Sequence, residues 1–299
     1  MTYFNFHTIV PLSIVPMMSG VAVKIARIAL AETGDASWAV VDPQPGTATL
    51  LDGPPADWAP ALLSGSTAAG RVLSLDTVRL LAPLEPTSRV FGVGANYLSH
   101  LEKLGHARPS GLVAYLKPFS AIVGPGETIR YPKVCTQLDF EIELVAVVGR
   151  PMSAHRDPTA NLLGYTVGND ISDRSSMHSP IGGFDLFGMK AQDATTPVGP
   201  WIVTPDELGG PGQPELAISL RVDGEERQRD VTSQMIFSVA EILTYLDDRV
   251  SLRPGDLVFT GTTHGVGLED GRLLEPGSVV ESEVQDVGVL RNVVGPRSQ

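Results

Sequence analysis

Three carboxylates alternate with apolar residues in LDFEIEL, residues 138–144. If this stretch is a strand, its alternation places Asp139, Glu141 and Glu143 on one face, each about 7 Å from the next. No Lys or Arg is interleaved, so the charges repel unless a cation lies among them. Hard divalent cations prefer several carboxylate oxygens. We therefore predict a metal site here, with Asp170 of GYTVGNDISDR as a third ligand beside Glu141 and Glu143.

Each of these residues also has a simpler interpretation. Acids on one face of a strand can be solvated, and an aspartate after a glycine and an asparagine can be a turn residue. The strand nevertheless runs directly into VAVVG, which is apolar on both faces. We therefore expect the acids to lie at the mouth of a buried region rather than on open surface.

Three cations lie in apolar or glycine-rich sequence, although most cations of an acidic protein are surface residues. They are Lys117 in YLKPFS, Arg174 after the ND turn and Lys190 in GMKAQD. Arg can grip a carboxylate through two hydrogen bonds, and Lys provides a point charge. The loop at 259–267, FTGTTHGVG, includes Gly261 and would let backbone N–H groups approach a ligand. These features favour recognition of a small anion.

Composition limits the classes of partner. The chain has 299 residues, with 22 basic and 34 acidic side chains. This balance repels phosphate backbones and anionic lipids, so we expect no nucleic-acid or membrane partner and a small-molecule substrate instead. Cys135 is the single cysteine, which excludes an internal disulfide and favours the cytoplasm. Residues 1–20 are apolar but too short to span a bilayer and are interpreted as an N-terminal extension.

The remaining chain divides into two predicted domains. Residues 21–86 contain strand-like segments and a Pro/Gly-rich run, which indicate a small N-terminal α+β domain. Residues 87–299 contain many short strand candidates and two convincing helices, one over 96–104 and one starting at Ser238. A hairpin turn is predicted at Asp223-Gly224. The fold class expected is mixed α/β and β-rich, with a roll or barrel rather than a doubly wound sheet.

Six segments in order make a more specific case. They read FGVGANYLSH, LDFEIELVAVVG, GYTVGNDISDR, GMKAQDATTPVGPWIVT, LRPGDLVFTGTTHGVG and PGSVVESEVQDVGVLRN. Over residues 89–294 the sequence resembles the fumarylacetoacetate hydrolase family. The resemblance implies a mixed β-roll catalytic domain, a homodimer, and Mg²⁺ or Mn²⁺ bound by Glu141, Glu143 and Asp170.

The resemblance also implies a chemistry. Members of the family cleave or decarboxylate 2-oxo acids and β-dicarbonyl compounds, and some isomerise or hydrate them. A metal that polarises the carbonyl and stabilises an enolate serves all of these reactions. Family frequency places C–C hydrolysis of an acylpyruvate-like substrate first. A decarboxylase, isomerase or biosynthetic enzyme is the alternative within the family, and a non-catalytic ligand-binding member is the alternative outside catalysis.

Roles carried over from the family are assigned residue by residue. His100 is the expected base, and Arg174 and Lys190 are the expected catalytic cations. Hydrolytic members often have a glutamate three residues after the histidine, but position 103 here is Lys and Glu102 lies on a different helical face of a regular helix. Glu102 is nevertheless included among the expected catalytic residues, as the partner of His100 if the helix is irregular. The substrate-binding set is expected to comprise Tyr97, Lys117, Gly261, Thr262 and Met177.

Met177 stands where the family often has a substrate-contacting Gln, which puts hydrolysis in question and leaves enolate chemistry intact. His178 and His264 flank matching blocks and are further candidate contacts. Residues 101–111 are a candidate mobile lid, because they contain glycines and Pro109. A serine hydrolase is disfavoured because Gly-x-Ser-x-Gly is absent from the sequence, and a dinucleotide enzyme because position 97 is Tyr rather than Gly.

Overall fold

The N-terminal part of the chain is a small antiparallel unit built mainly of strands. The computed structural model describes residues 15–16, 23–67 and 70–298, so the predicted extension lies outside the described residues apart from 15–16. The elements of this unit are β1 (Val15–Pro16), β2 (Lys24–Leu30), β3 (Ala36–Asp42), β4 (Thr47–Leu51), α1 (Pro55–Leu62), β5 (Ser66–Thr67), β6 (Val72–Ser74) and β7 (Val78–Leu81).

The larger part contains most of the strands and the remaining helices. Its strands are β8 (Val90–Gly94), β9 (Val113–Lys117), β10 (Ile122–Val123), β11 (Thr128–Tyr131), β12 (Leu138–Asp139), β13 (Ile142–Val148), β14 (Leu162–Asn169), β15 (Ser172–Asp173), β16 (Thr196–Val203), β17 (Ala217–Val222), β18 (Glu225–Val231), β19 (Leu257–Phe259), β20 (Val279–Val284) and β21 (Gly288–Arg297). Its α-helices are α2 (Leu98–Lys103), α3 (Leu186–Lys190), α4 (Val239–Asp247) and α5 (Gly267–Asp270). Short 3-10 helices occupy Leu75–Thr77, Phe119–Ala121, Met152–Ala154, Pro158–Asn161, Arg174–Ser176, Pro205–Leu208 and Thr232–Gln234.

The main sheet runs in the order β6-β4-β3-β2-β16-β14-β13-β19-β8-β9, with β10 beside β16 and β7 beside β2. Its central strands β13 and β14 are antiparallel and buried along their whole length. Both are apolar on two faces because a separate hydrophobic cluster covers each face. This burial fixes the register that brings the ends of the two strands together.

A second sheet, β11-β21-β20-β17-β18, packs across one face of the main sheet. Leu144 and Ala146 of β13 share a cluster with Ile218 and Leu220 of β17. The predicted hairpin turn connects β17 and β18, where Asp223 has φ 52° and Gly224 has φ 83°. Positive φ at both central residues matches the right-handed twist of a hairpin. The prediction of a β-rich mixed fold with few helices is confirmed.

The helices are short, and one of them begins where the sequence predicts. Ser238 caps α4 in a reciprocal capping box with Glu241, and Ile242, Leu243 and Leu246 form its buried stripe. The predicted helix over 96–104 is present as α2. Across the described parts of the chain, none of the helices combines the length and apolarity that crossing a membrane requires.

The two predicted domains share the main sheet. Strand β2 pairs with the end of β16, with Ile25 opposite Ile202 and Lys24 opposite Val203. Ile25 and Ile202 are both fully buried, in a cluster that also contains Trp38 of β3. Strands β2, β3, β4, β6 and β7 therefore extend the sheet of the larger part, while β1 and β5 pair with each other separately.

Candidate active site

The acidic segment is not one continuous strand. Strand β12 ends at Asp139 and β13 begins at Ile142. The N–H of Glu141 donates to Asn169 Oδ1 at 2.8 Å, and that of Ile142 donates to Gln228 Oε1 at 3.0 Å. Side-chain acceptors thus take the place of ladder bonds at the break. Every residue of 138–144 is buried, so the interpretation of a solvated acidic face is wrong for this segment.

Glu141, Glu143 and Asp170, hereafter the acidic triad, converge as predicted. Each offers a carboxylate oxygen, and the three oxygens lie within 4.8 Å of one another. Asp170 follows β14, whose last residue Asn169 pairs with Ile142, and the Asp170 N–H donates to Glu141 O at 2.8 Å. Strand register therefore carries the aspartate to the two glutamates.

Asp139, the first acid of the alternating pattern, has a different role. Its carboxylate accepts from Arg174 Nε at 2.8 Å and from the N–H groups of Gly267 and Leu268 at 2.6 and 3.0 Å. The break after β12 removes the strict alternation that would have aligned the three acids. Asp139 thus fixes Arg174 and the start of α5 instead of joining the triad.

Two buried cations hold Glu141. Lys190 Nζ lies 2.7 Å from Glu141 Oε2 and 2.5 Å from Asp170 Oδ2, and Arg174 Nη2 lies 2.6 Å from Glu141 Oε1. Burial acts to raise the pKa of Glu141, but Lys190 and Arg174 outweigh it and lower that pKa. The predicted catalytic cations are therefore in contact with the triad.

Lys117 and Tyr115 support Asp170 from β9. Lys117 Nζ donates to Asp170 Oδ1 and, at 2.7 Å, to the carbonyl of Lys190, while Tyr115 Oη donates to Asp170 Oδ2. Burial opposes ionisation of Asp170, yet Lys117 and Lys190 lower its pKa. Lys117, predicted to bind substrate, contacts these two protein groups and is not among the described residues that line the cavity at this site. Tyr115 was missed, although its i, i+2 spacing to Lys117 in a strand indicated a shared side.

Glu143 is the exception within the triad. Its Oε2 accepts from the N–H of Gly261 at 2.6 Å, but its Oε1 is buried without a hydrogen-bond partner. Burial, then the charges of Asp170 and Glu141, raise the pKa of Glu143 well above its usual range. A buried carboxylate oxygen without a partner is costly and requires an explanation.

The charge balance of the cluster provides that explanation. Together with Asp139 the triad contributes four carboxylates, and among the described residues the buried cations that contact them are Arg174, Lys117 and Lys190. With all groups ionised, one negative charge remains in excess. Hard oxygen donors, an oxygen without a partner and surplus negative charge all fit a divalent cation.

His100 is also buried, and it has a carboxylate partner. Its Nδ1 lies 3.2 Å from Glu269 Oε1, and Glu269 Oε2 accepts from the N–H of Gly265 at 2.8 Å. Glu102, the predicted partner, is exposed and lies two residues after His100 on α2, which places it on a different helical face. Glu269 was missed; the only available signal was its position shortly after the glycine loop.

Glu141 of the acidic triad and His100 both line a cavity of about 550 Å³, whereas Glu143 and Asp170 are not among the described residues that line it. Glu141, Arg174, Lys190, Tyr115 and His100 contribute its polar lining. Of the other predicted residues, Thr262, Met177, His178 and parts of 101–111 also line it.

Three further candidates are Tyr97, Gly261 and His264, and each has a different environment. The hydroxyl of Tyr97 is buried without a partner, and burial raises its pKa. Gly261 donates to Glu143, and the carbonyl of His264 accepts from Gln228 at 3.4 Å. None of the three is among the described residues that line the cavity.

Comparison with family models gives two matches. The model described as Fumarylacetoacetate (FAA) hydrolase C-terminal matches residues 89–295, and the one described as Rv2993c-like, N-terminal matches residues 23–83. Among curated relatives, the mitochondrial oxaloacetate tautomerase FAHD2A of Bos taurus is 35% identical over 227 residues, covering 75% of this chain and 71% of the relative.

Two solved structures are similar in fold and sequence. A 2-hydroxyhepta-2,4-diene-1,7-dioate isomerase from Mycobacterium marinum superposes with a TM-score of 0.74 at 33% identity, covering 93% of this chain and all of the other. A fumarylpyruvate hydrolase from Pseudomonas aeruginosa, in complex with Mn²⁺ and pyruvate, superposes with a TM-score of 0.61 at 32% identity. The superposition covers 73% of this chain and 92% of the hydrolase chain.

Proposed function

Because the chain belongs to the fumarylacetoacetate hydrolase family, we propose that it is a divalent-metal-dependent enzyme that hydrolyses a C–C bond of an acylpyruvate-like substrate. The observation that carries the proposal is one cavity lined both by Glu141 of the acidic triad and by His100, which has Glu269 as its partner. A small 2-oxo acid or β-dicarbonyl compound provides the two adjacent oxygens that such a site accommodates.

Glu141, Glu143 and Asp170 would hold the metal, which we propose to be Mg²⁺ or Mn²⁺. Carboxylate oxygens suit either ion, and the Pseudomonas aeruginosa fumarylpyruvate hydrolase was solved in complex with Mn²⁺. When bound, such an ion supplies Lewis-acid polarisation of a carbonyl and stabilisation of enolate charge. Glu143 contributes the one triad oxygen that has no partner within the protein.

Arg174 and Lys190 hold the substrate anion in this proposal. Both line the cavity, and both are fixed by buried acids rather than by solvent. Arg174 donates from Nε and Nη2 to Asp139 and Glu141, which leaves its other N–H groups for a carboxylate. Their fixed positions mean that little side-chain entropy is lost when the substrate binds.

His100 acts as the general base. With Nδ1 directed at Glu269, its Nε2 is the free ring nitrogen, and the carboxylate stabilises the imidazolium that forms. In hydrolysis Nε2 takes a proton from water as the water oxygen attacks the acyl carbonyl. The C–C bond then breaks, its electron pair passes to the enolate of pyruvate, and the proton returns to that carbon.

A tautomerase or isomerase is the second candidate. The Bos taurus relative is named an oxaloacetate tautomerase and the Mycobacterium marinum protein an isomerase. For such reactions His100 would move a proton between carbon and oxygen without attack by water. The same cavity, cations and acidic triad would serve both reactions.

The two candidates are separated by turnover in water labelled with heavy oxygen. An acylpyruvate and enol-oxaloacetate are supplied with Mg²⁺ or Mn²⁺, and products are identified by mass spectrometry. Label in the carboxylate of the acyl product supports hydrolysis. Decay of the enol without C–C cleavage, at a rate above that of the same solution without protein, supports the tautomerase instead. A Glu141→Ala, Glu143→Ala double variant should lose metal by elemental analysis, and unchanged metal content would refute the site.

Oligomeric state and compartment are parts of the same proposal. We expect a homodimer, which light scattering of the purified chain tests directly. We expect the cytoplasm, although the Bos taurus relative is named as mitochondrial. A ligand-binding protein without turnover would bind oxalate or pyruvate tightly and convert none of the substrates above.

A further inference from the structure

Building on the proposed function, we infer that the substrate arm beyond the reacting carbonyls is apolar and uncharged. The substrate would then be a monocarboxylate, an acylpyruvate with an alkyl, alkenyl or aryl acyl group. The inference concerns the part of the cavity away from the acidic triad. It follows from which residues line that part and from which cations remain free.

The lining away from the triad is mostly hydrophobic. It includes Leu101, Leu104, Val113, Met177, Leu186 and Met189. These residues come from separate segments, namely α2 and the residue that follows it, β9, and the stretch from 177 to 189. A cavity of about 550 Å³ has the size of sites that hold a whole small ligand, so it exceeds what a pyruvate head alone requires. The additional space is therefore apolar.

No permanent cation is left for a second carboxylate in the described lining of the cavity. Arg174 and Lys190 are the Arg and Lys side chains there, and the proposed function already uses both for the carboxylate next to the reacting carbonyls. His106 and His178 lie at exposed positions of the lining, and His178 stacks on Phe184 with 6.4 Å between ring centroids. Imidazoles offer hydrogen bonds but no permanent charge.

Burial of an unpaired carboxylate in such surroundings is unfavourable, whereas a hydrocarbon arm gains from each methylene removed from water. The Mycobacterium marinum isomerase is named for a 1,7-dioate, a substrate with two carboxylates. We therefore expect the substrate of this chain to lack the second carboxylate for which that isomerase is named. Met177, an apolar residue three positions after Arg174, belongs to the lining that the far end of the substrate would contact.

Two substrates of equal length test the inference. They are 2,4-dioxohept-5-enoate and 2,4-dioxohept-5-enedioate, which differ only in a terminal methyl or carboxylate. With Mg²⁺ present, we expect kcat/KM to favour the monoacid by about 100-fold. Equal or better turnover of the diacid would overturn the inference while leaving the proposed function in place.

A binding measurement separates failure of the inference from failure of the proposed function. Titration calorimetry compares 2-oxohexanoate with 2-oxoadipate, again a methyl against a carboxylate at equal length, on the Mg²⁺-loaded protein. Tighter binding of 2-oxohexanoate, by about tenfold or more, supports the apolar arm even if neither dioxo acid is turned over. Equal or tighter binding of 2-oxoadipate overturns it.

A variant that introduces a charge tests where the substrate arm lies in the cavity. Leu104→Arg places a cation in the half-buried apolar lining, and Leu104→Met is the control that keeps the position apolar. In the arginine variant the ratio of kcat/KM for the monoacid to kcat/KM for the diacid should fall by about tenfold or more. In the methionine variant this ratio should remain that of the wild type. An unchanged preference in folded Leu104→Arg would show that the arm lies elsewhere, against the inference.

Discussion

His100 Nδ1 and Glu269 Oε1 lie 3.2 Å apart although 169 positions separate the two residues in the chain. The pair is held by two different supports. His100 lies on α2, and Glu269 is fixed through its second oxygen by the N–H of Gly265. A carboxylate in this place orients the imidazole and stabilises its protonated form, as a base requires.

Replacement of Glu269 should therefore reduce catalysis without loss of metal. We expect Glu269→Gln to lower kcat by about 100-fold or more, because the amide no longer stabilises the imidazolium. Steady-state kinetics with metal content measured in parallel checks this. Glu102→Gln is the matched control, since Glu102 is exposed on the same helix as His100. Loss of activity in the control instead would identify Glu102 as the functional partner.

Glu143→Gln should separate metal binding from folding. The substitution preserves the shape of the side chain and removes a carboxyl group whose ionisation is opposed by burial and whose Oε1 has no hydrogen-bond partner. The Tm of the metal-free protein should therefore stay the same or rise. Mg²⁺ or Mn²⁺ should stabilise the wild type by about 3 kcal/mol at a concentration 100 times its Kd, and the variant far less. Thermal melts with and without metal measure both effects. Equal metal-induced shifts in the two proteins would contradict the assignment of Glu143 as a ligand.

Asp139→Asn should show the opposite pattern. Asp139 accepts from Arg174 and from three backbone N–H groups and does not belong to the acidic triad, so its loss should destabilise the fold by about 3 kcal/mol and leave metal content unchanged. Asp193→Asn, at an exposed ion pair with Arg130, is the control expected to change stability little. Denaturant unfolding and elemental analysis together decide the case. Metal loss in Asp139→Asn would make it a ligand after all.

Gly261→Ala should disturb the loop behind Glu143. Gly261 has φ 100°, and an added Cβ would lie 2.6 Å from Asn96 Cβ, so the loop must shift. We expect a loss of about 2 kcal/mol in stability and weaker metal binding, because the N–H to Glu143 moves with it. Gly111→Ala, which meets nothing within 4 Å, is the matched control. Wild-type stability in Gly261→Ala would show that the loop adapts without cost.

Local periodicity in the sequence predicts some of these features well. Alternation in β13 and the turn after β14 indicated Glu141, Glu143 and Asp170, and the capping box at Ser238 gave the start of α4. The same alternation grouped Asp139 with the other acids, and this was wrong. The break after β12 depends on side-chain acceptors from Asn169 and Gln228, which lie far away in the chain.

Contacts between distant segments were beyond such reasoning. Glu269 meets His100 only because α5 follows a glycine loop that folds over β13, and no spacing in the sequence encodes that approach. Lys117 looked free to bind an anion, but a strand pairing places it beneath Asp170. Patterns over a few residues of the sequence indicate which residues are candidates for the site. The pairing of strands that are distant in the chain decides which groups those residues contact.

The pairing of β2 with β16 has a practical consequence for anyone who shortens this chain. Strand β2 pairs with Ile202 and Val203 along the edge of β16 that faces away from β14. Among the described residues, no other strand pairs with Ile202 and Val203 along that edge. A fragment restricted to 87–299 would leave that edge with open N–H and C=O groups next to apolar side chains. Such a fragment offers a template for strand addition by its own copies and should be prone to aggregate.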